Sequence, residues 1–321
     1  MFLGIEIGGT KLQLGVGPDD GRLRGLWRGA VDVAAGPEGI RRQIVAAVPE
    51  LLAKAAIERG ELRGAGIGFG GPVDDAKHTV IKSHQIEGWD NFPLADWIAE
   101  VVGLPAVLGN DADVAGLAEA LHGAGKGLSP IFYITIGSGI GGGFINNGEI
   151  YQGCGRGAAE IGHLNVFIPE GTPSHPYEHI PVEFLVSGWA IENNAKWFLK
   201  HNPKQESSLR HLKNHAKITA QHVAEAAAQG DEIARSLLQM PISHLADAIC
   251  HVIALLCPRR IIIGGGVSLM GEELLFQPLR QLVAERVFKP FAGLTDIVPA
   301  ALGEEVVVHG AIALAHKRFG E

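Results

Sequence analysis

Residues Ile131–Ile150 read IFYITIGSGIGGGFINNGEI, and the prediction of the fold depends on them. Six apolar or β-branched residues lead into a cluster of glycines, after which a second extended segment begins. The pair Asn147-Gly148 predicts a two-residue hairpin turn. Backbone N–H groups in a glycine turn can converge on a phosphate, because no Cβ atom keeps the anion away. The stretch predicts either an anion-binding turn or a hairpin that needs glycine only for its backbone angles.

Two better-known phosphate motifs do not fit this chain. Gly137, Gly139 and Gly142 match the dinucleotide pattern G-x-G-x-x-G, but that pattern must open a helix and residues 144–150 are hairpin-like. Gly125-Lys126 comes nearest to a P-loop, yet the first glycine and the Ser or Thr of that motif are missing. A Rossmann site and a P-loop are therefore not expected.

Composition narrows the class of protein. The chain has 321 residues, enough for two domains, with 46% hydrophobic and 19% charged residues. Its net charge of −8 argues against a nucleic-acid partner. The three cysteines are widely spaced, which fits a reducing cytoplasm. No apolar run approaches the ~20 residues of a membrane helix, and Glu6 comes too early for a signal peptide. We expect a cytoplasmic protein with no membrane partner.

The N-terminus repeats the plan of the first stretch. Met1–Ile7 predicts a strand, Gly8–Thr10 a turn, and Lys11–Val16 a second strand that ends near a further turn. This recurrence suggests two similar halves, each opening with a hairpin that faces phosphate, although strand–glycine–strand patterns are common.

Strands and helices alternate in the first half, and helices dominate after residue 181. Prolines at 49 and 241 predict a kink or break in the first helix and a break in the long helix of the second half. The alternation predicts an α/β sheet with crossover helices. The predicted helices are 39–60, 93–102, 111–122, 182–200, 219–229, 231–256, 277–287 and 309–316, and the remaining predicted strands are 65–73, 105–108 and 260–267.

Three glycine turns follow predicted strands, at residues 8–9, 137–143 and 264–266. One phosphate does not need three such turns. Three turns are expected for a nucleotide held between two lobes, with two turns at its phosphates and the third near the adenosine.

Six motifs in order resemble the ROK family, which contains repressors, unclassified reading frames and sugar kinases. The resemblance covers nearly the whole chain. It implies the duplicated actin-like and Hsp70-like α/β ATPase fold, with two lobes around a cleft, and ATP-dependent phosphorylation of a hexose, usually at the 6-hydroxyl. One lobe would comprise residues 1–122 with about 309–321, and the larger lobe residues 123–308. The motifs are IEIGGTK (Ile5–Lys11), GGPV (Gly70–Val73), GNDAD (Gly109–Asp113), TIGSGIGGG (Thr135–Gly143), EIGH (Glu160–His163) and IIIGGGV (Ile261–Val267).

The resemblance assigns the catalytic role to Asp111, as the general base that takes the proton from the sugar hydroxyl. The alternative is that Asp111 caps the following helix. Asn110, Glu160, His163 and Glu183 would bind the sugar, since carboxylates and amides suit paired hydroxyls. Two further candidates for the other edge of the sugar are Gly71 and Ser83.

The nucleotide contacts implied by the resemblance come from the three turns. Lys11 would be either a phosphate partner or a solvated strand residue. The expected ATP-binding residues are Gly8, Gly9, Thr10, Lys11, Thr135, Gly137, Ser138, Gly139, Gly264, Gly265 and Gly266.

The chain departs from the family pattern at the metal positions. Glu6 stands where the family usually has the Asp that holds Mg²⁺ through water, and Glu is one methylene longer. Many members also have a zinc site made from the EIGH histidine and three cysteines. Here those cysteine positions hold Ser174, Pro176 and Pro181, so we predict no structural zinc. The nearby His175 and His179 offer a less favoured replacement for two of the ligands.

The leading hypothesis is a glucokinase-like enzyme that uses ATP and Mg²⁺, with fructose, mannose or an N-acetylhexosamine as alternative substrates. A sugar-responsive regulator is the competing class, but such repressors carry a helix-turn-helix domain ahead of the first glycine turn, and Gly8 leaves no room for one. A catalytically weak sugar-binding protein is the third hypothesis. We also expect a homodimer.

Overall fold

The structure is a computed structural model of the chain, and it describes residues 1–83, 86–167, 179–212 and 217–320. The chain divides into two compact units. Residues 1–133, 143–159 and 300–321 form the first, and residues 134–142 and 160–299 form the second. The predicted functional lobes, 1–122 with 309–321 and 123–308, stay a prediction. The division into compact units differs from these lobes, because it places residues 123–133, 143–159 and 300–308 in the first unit.

Strands and helices are mixed along the described chain. The strands are β1 (Phe2–Ile7), β2 (Lys11–Gly17), β3 (Gly25–Ala30), β4 (Gly64–Phe69), β5 (Val73–Asp74), β6 (Thr79–Val80), β7 (Ala106–Asn110), β8 (Ile131–Ile136), β9 (Ile140–Asn146), β10 (Glu149–Ile150), β11 (Asn165–Phe167), β12 (His179–Pro181), β13 (Arg260–Gly264) and β14 (Asp296–Pro299). The helices are α1 (Gly36–Ala55), α2 (Leu94–Val102), α3 (Asp111–His122), α4 (Glu183–Val186), α5 (Gly188–His201), α6 (Ala220–Ala228), α7 (Glu232–Leu256), α8 (Gln277–Arg286) and α9 (Val306–Phe319). Strands β8 to β12 come in succession, and helices α4 to α7 then follow in succession.

Two five-stranded sheets share one strand plan in the described part of the chain. The first has the order β3-β2-β1-β4-β7 and the second the order β10-β9-β8-β13-β14. Each sheet thus starts with three consecutive strands and continues with two that come later in the chain. In the first sheet, β1 is antiparallel to β2 and parallel to β4, which is parallel to β7. The predicted α/β class and the two similar halves are confirmed.

Helix α9 packs backbone to backbone in the first unit. A Cβ atom at Gly66 in β4 would lie 1.8 Å from the carbonyl oxygen of Ala311, and one at Gly310 would lie 1.8 Å from that of Val114 in α3. Only glycine permits such an approach at these two positions. Every residue of β1 and β4 is buried, as expected for the central strands of a sheet that is covered on both faces.

The two internal prolines do not end their helices. Helix α1 continues through Pro49, and α7 continues through the buried Pro241. The break predicted at Pro241 is therefore wrong, and of the two alternatives predicted at Pro49 the break is wrong and the kink stays a prediction. Proline removes one hydrogen bond from a helix but fits its φ angle, and both helices bury apolar faces along their length. Burial of these faces outweighs the lost bond.

Helix α7 is the one helix in the described ranges that is long and apolar enough to cross a membrane. In its most apolar window, 56% of the residues are buried inside the protein. Core helices of globular proteins meet the same length and composition criteria.

Candidate functional site

The start of α3 is organised by Asn110, the last residue of β7. The Oδ1 atom of Asn110 accepts hydrogen bonds from the backbone N–H of Ala112 (2.9 Å) and Asp113 (3.3 Å), and its Nδ2 donates to the Gly71 carbonyl (3.0 Å). Asn110, and not Asp111, is therefore the N-cap. Asp111 occupies the first helical position, where the helix dipole favours a negative charge, and its Oδ1 also accepts from the N–H of Ala112 (2.9 Å).

Three strand ends bring predicted site residues together at one edge of the first sheet. Because β1, β4 and β7 are parallel, Ile7 pairs with Phe69, and Phe69 pairs with Asn110. The backbone N–H of Gly70 donates to the Ile7 carbonyl (2.9 Å). A Cβ atom at Gly70 would lie 3.5 Å from Oδ2 of Asp111. The residue after β4 thus lies beside the Asp111 carboxylate.

The hairpin after β1 is tight, and Lys11 closes back onto Glu6. The N–H of Gly8 donates to the Lys11 carbonyl (3.1 Å), which leaves Gly9 and Thr10 at the tip of the turn. Lys11 Nζ lies 3.2 Å from Oε1 of Glu6, and Gln13 Nε2 donates to Oε2 of Glu6 (3.0 Å). Lys11 is thus an ion-pair partner of Glu6 rather than a free strand residue.

Glu6 is a buried carboxylate, with 5% of its surface exposed. Burial raises its pKa from 4.5 to about 7. The positive charge of Lys11 opposes this rise, and the negative charge of Asp111 adds to it. Two carboxyl groups, at positions 6 and 111, therefore influence each other at this edge of the sheet.

Gly71 and Ser83 lie in the same compact unit. A Cβ atom at Gly71 would meet the Lys82 carbonyl at 2.7 Å, so residues 71 and 82 are in close backbone contact. Ser83 is 9% exposed, and its Oγ accepts a hydrogen bond from the N–H of Ile86 (3.1 Å). Position 71 therefore requires glycine for packing, independently of any ligand.

In the second unit, the turn between β8 and β9 is held by Glu183. The N–H of Ile140 donates to Oε2 of Glu183 (2.9 Å), and a Cβ atom at Gly139 would lie 2.6 Å from the same oxygen. The N–H of Gly137 donates to the Gly139 carbonyl (2.9 Å), while the Gly137 carbonyl accepts from Gly188 (2.8 Å). Glu183 thus has a structural role at the turn, which sequence reasoning missed.

The EIGH segment meets the same turn. Glu160 precedes a short 3-10 helix, Ile161–His163, and a Cβ atom at Gly162 would lie 2.5 Å from the Ile140 carbonyl. Glu160 and His163 are both exposed. The segment with Glu160 and His163 and the N-terminus of α4 with Glu183 therefore meet at Ile140.

The third glycine turn follows β13. Gly265 has a φ angle of +82°, and a Cβ atom there would lie 2.5 Å from the Ile136 carbonyl at the end of β8. The turn after β13 therefore lies directly against the end of β8, the strand that contains Thr135 and leads into the turn 137–139. Two separate glycine turns of the sequence are neighbours in the second unit.

A cavity of about 770 Å³ opens beside these two turns, entirely within the second unit. Apolar side chains form part of its wall, and polar side chains of α5 and α6 form another part. Its size and mixed lining suit a nucleoside. The α5 and α6 residues were not predicted, since no motif marks them. The lining includes Gly137, Ser138, Gly266, Trp189, Glu192, Gln221, Glu225, Leu269 and Met270.

Comparison with known proteins identifies the family. The sequence profile of the ROK family matches residues 2–318. The chain belongs to the ROK family. It is 32% identical to a protein named glucokinase from Thermotoga maritima, over 99% of this chain and 98% of that protein.

Two ROK structures share the fold. A ROK glucokinase from Streptomyces griseus, crystallised with glucose and AMPPNP, is 31% identical, with a TM-score of 0.81 over 98% of this chain and 99% of that chain. A ROK family transcriptional regulator, a homologue of the E. coli MLC protein, is 23% identical, with a TM-score of 0.82 over 97% of this chain and 76% of that chain. The actin-like fold predicted from the ROK motifs is confirmed.

Glu6 and Asp111 have the chemistry to suit Mg²⁺, the ion that the ROK resemblance implies here. A buried glutamate whose pKa is raised to about 7 lies close enough to Asp111 for the two charges to repel. A divalent cation would relieve this repulsion, and oxygen ligands are those that Mg²⁺ prefers. Oε1 of Glu6 already contacts Lys11 Nζ, and Oε2 accepts a hydrogen bond from Gln13 Nε2. Contact of Glu6 with Mg²⁺ through water therefore fits better than direct ligation.

The region of the ROK zinc site is described only in part. Ser174, Pro176 and His175 lie outside the described residues. His179 and Pro181 belong to β12, where His179 pairs with Phe167 and Pro181 with Asn165 of β11. Within the described ranges, no group of three or more His, Cys, Asp or Glu side chains could hold a metal ion. The absence of structural zinc stays a prediction.

Proposed function

We propose that this protein is an ATP-dependent hexose kinase that transfers the γ-phosphoryl group to a sugar hydroxyl, with the 6-hydroxyl of glucose as the expected acceptor. The observation that carries the proposal is the position of Asp111. It begins α3 at the edge of the parallel strands, beside Gly70 and electrostatically coupled to Glu6. The relatives named glucokinase support the same reaction.

Asp111 acts as the general base in this proposal. Its carboxylate accepts the proton of the sugar hydroxyl as the oxygen attacks the γ-phosphorus. Asn110 takes over the capping of α3, so the Asp111 side chain is not needed as the cap. The Oδ1 atom of Asp111 also accepts from the N–H of Ala112 (2.9 Å), which fixes its orientation.

The sugar contacts are assigned to Gly71, Ser83, Asn110, Glu160, His163 and Glu183. Two of these side chains already hold backbone groups, which would preorganise them for a sugar. Asn110 bonds the Gly71 carbonyl, and Glu183 bonds the Ile140 N–H. Preorganised polar groups lose little freedom on binding.

The ATP contacts are assigned to the three glycine turns, with the nucleoside in the cavity of the second unit. Gly8–Lys11 would face phosphate, and Lys11 brings a positive charge to that turn. Mg²⁺, when bound with the nucleotide, would neutralise charge on the phosphates, and Glu6 would hold it through water.

A coupled ADP-release assay across glucose, fructose, mannose and N-acetylated hexosamines tests the proposal. We expect glucose to give the highest kcat/KM. Asp111→Ala and Asp111→Asn should lower kcat by at least ~10²-fold, which is typical for loss of a general base. Asp20→Asn is the matched control and should retain full activity, because Asp20 is exposed, accepts a local hydrogen bond from the N–H of Arg22, and follows β2 at the end opposite to the Gly8–Lys11 turn. ADP release in Asp111→Asn equal to that of the wild-type protein would refute the assignment.

The fold shared with a ROK regulator keeps a second candidate function in view. A sugar-binding protein without turnover would bind a hexose in calorimetry yet release no ADP from ATP. Polyphosphate as the donor forms no ADP, so it would be tested by direct measurement of the sugar phosphate. The homodimer stays a prediction, which light scattering would check. The cytoplasmic location, with a hexose as ligand and no nucleic-acid or membrane partner, also stays a prediction, which fractionation would check.

A further inference from the structure

Glu119 is a fully buried acid in the same helix as Asp111. It lies about two turns further along α3, and its exposed fraction is 0%. Its Oε2 accepts a hydrogen bond from the N–H of Ala124 (2.7 Å), and its Oε1 accepts from the N–H groups of Ala301 and Leu302 (both 2.9 Å). A buried charge is costly unless it is hydrogen-bonded, and three charge-assisted bonds satisfy this one.

The backbone after α3 packs closely against the Glu119 side chain. A Cβ atom at Gly123 would lie only 2.1 Å from Oε2 of Glu119. The backbone carbonyl of Glu119 also accepts from the N–H of Gly123 (3.1 Å) and of Gly125 (2.9 Å). Glu119 therefore fixes the end of α3 and, through Ala301 and Leu302, a segment far away in the sequence.

That distant segment leads to Lys11 and Gln13, the two side chains that bond Glu6. Just after Leu302, the carbonyl of Glu304 accepts hydrogen bonds from Lys11 Nζ (3.2 Å) and from Gln13 Nε2 (3.1 Å). These same two groups bond the carboxylate of Glu6, at 3.2 Å and 3.0 Å. Hydrogen bonds thus link Glu119 to residues 301 and 302, the covalent backbone leads on to Glu304, and further hydrogen bonds complete the path from Glu304 through Lys11 and Gln13 to Glu6, inside one compact unit.

We propose that Glu119 is a positioning residue for phosphoryl transfer: it ties the helix that carries Asp111 to the segment that holds Lys11 and Gln13, the two side chains that bond Glu6. Asp111 and the Lys11–Glu6 pair are thereby held in one fixed arrangement. The inference rests on the proposed kinase function, in which Asp111 serves the sugar and Lys11 with Glu6 serves the phosphates. A displacement of about 1 Å between such groups can lower a rate by about 10²-fold.

The carboxylate is needed because all three of its partners are donors. In Glu119→Gln, one end of the side chain becomes an NH₂ group, which meets either the Ala124 N–H or those of Ala301 and Leu302. Two donors facing each other leave buried groups unsatisfied. Glu119→Asp keeps an acceptor at both ends but reaches less far. It should therefore recover part of what Glu119→Gln loses.

The kinetic test separates positioning from general stability. Asp231→Asn is the matched control, because Asp231 also accepts several hydrogen bonds, from Ser207, Ser208 and Ala234, but lines no part of the candidate site. Both Glu119→Gln and Asp231→Asn should lower the melting temperature. Only Glu119→Gln should lower kcat/KM for MgATP, by at least ~10-fold, while its Kd for glucose stays within about twofold of the wild-type value.

A double-mutant cycle with Lys11→Met tests the path itself. If Glu119 acts through the segment that holds Lys11, the losses from Glu119→Asp and Lys11→Met will not add. Additive losses would overturn the proposal, as would wild-type kinetics in Glu119→Gln. Should Glu119→Gln fail to fold, the cycle with Glu119→Asp decides alone.

Labelling of Lys11 by an amine reagent, read by mass spectrometry, needs no activity. We expect Glu119→Asp to raise the labelling rate of Lys11 at least threefold, because the Glu304 carbonyl is released, and Asp231→Asn to leave it unchanged. Unchanged labelling in Glu119→Asp would overturn the proposal. If the wild-type protein phosphorylates no hexose but labelling rises in Glu119→Asp alone, the kinase function fails and the structural link stands.

Discussion

The raised pKa of Glu6 predicts an unusual dependence of stability on pH. The folded state holds the proton of this carboxyl up to a pKa of about 7, whereas an unfolded glutamate releases it near 4.5. Between these values the folded state binds more protons than the unfolded state. The free energy of unfolding contributed by Glu6 is therefore present at low pH and is lost as the pH rises toward and through 7.

The magnitude follows from the size of the shift. A difference of about 2.5 pKa units corresponds to about 3.4 kcal/mol, since one unit is worth about 1.36 kcal/mol. Roughly 2.5 kcal/mol of this change falls between pH 5 and pH 8 when both titration curves are included. With 5% of Glu6 exposed, little solvent screening reduces the effect.

The assay compares the wild-type protein with Glu6→Gln by urea unfolding at several pH values, with EDTA present so that no divalent cation favours the carboxylate. Amide exchange in β1 reports on the unit that contains Glu6. The wild-type protein should lose about 2.5 kcal/mol relative to Glu6→Gln from pH 5 to pH 8. Glu50→Gln, at a solvent-exposed glutamate paired with Lys54, should follow the wild-type curve. Parallel curves for the wild-type protein and Glu6→Gln would refute the reasoning.

Three further predictions concern packing, the turn and a cap. Gly66→Ala should lower the free energy of unfolding by more than ~2 kcal/mol, because the new Cβ atom would lie 1.8 Å from a carbonyl oxygen. Gly60→Ala is the control, since the space around Gly60 is open. It should change the free energy of unfolding by less than ~0.5 kcal/mol in the same urea titration. Gly139→Ala should raise the KM for glucose about tenfold, since it displaces Glu183; an unchanged KM would remove Glu183 from the sugar site. At Asp231, burial acts to raise the pKa, but hydrogen bonds outweigh it and hold the pKa at about 2. The stability difference between the wild-type protein and Asp231→Asn should therefore be present above pH 4 and decrease as the pH falls through 2, as acid titration of unfolding would show.

Features set by local sequence could be predicted from it. The glycine turns after β1, β8 and β13 each follow a short apolar run, and all three are where the sequence placed them. The start of α3 was also correct, although the cap is Asn110 and not Asp111. Either of two adjacent polar residues could be the cap, and the sequence does not show which of them has the non-helical backbone angles of an N-cap.

Features set by contacts between distant segments could not be predicted. Pro241 reads as a helix break, yet the burial of α7 keeps the helix continuous. The hydrogen bond from Glu183 to the β8–β9 turn joins residues far apart in the chain, as does that from Leu302 to Glu119. No spacing rule identifies such pairs, because they depend on how the sheets and helices pack.

The glutamate at position 6 is explained by its surroundings. Glu6 and Gln13 are cross-strand partners in β1 and β2, and the Glu6 carboxylate is long enough to accept from Gln13 Nε2 at 3.0 Å. An aspartate would end about 1.5 Å earlier and would leave Gln13 with the Glu304 carbonyl as its remaining acceptor. The extra methylene of Glu6 therefore brings its carboxylate to Gln13, which is also bonded to the segment held by Glu119. This accounts for how the chain can depart from the usual ROK residue at this position while keeping a carboxylate beside Asp111.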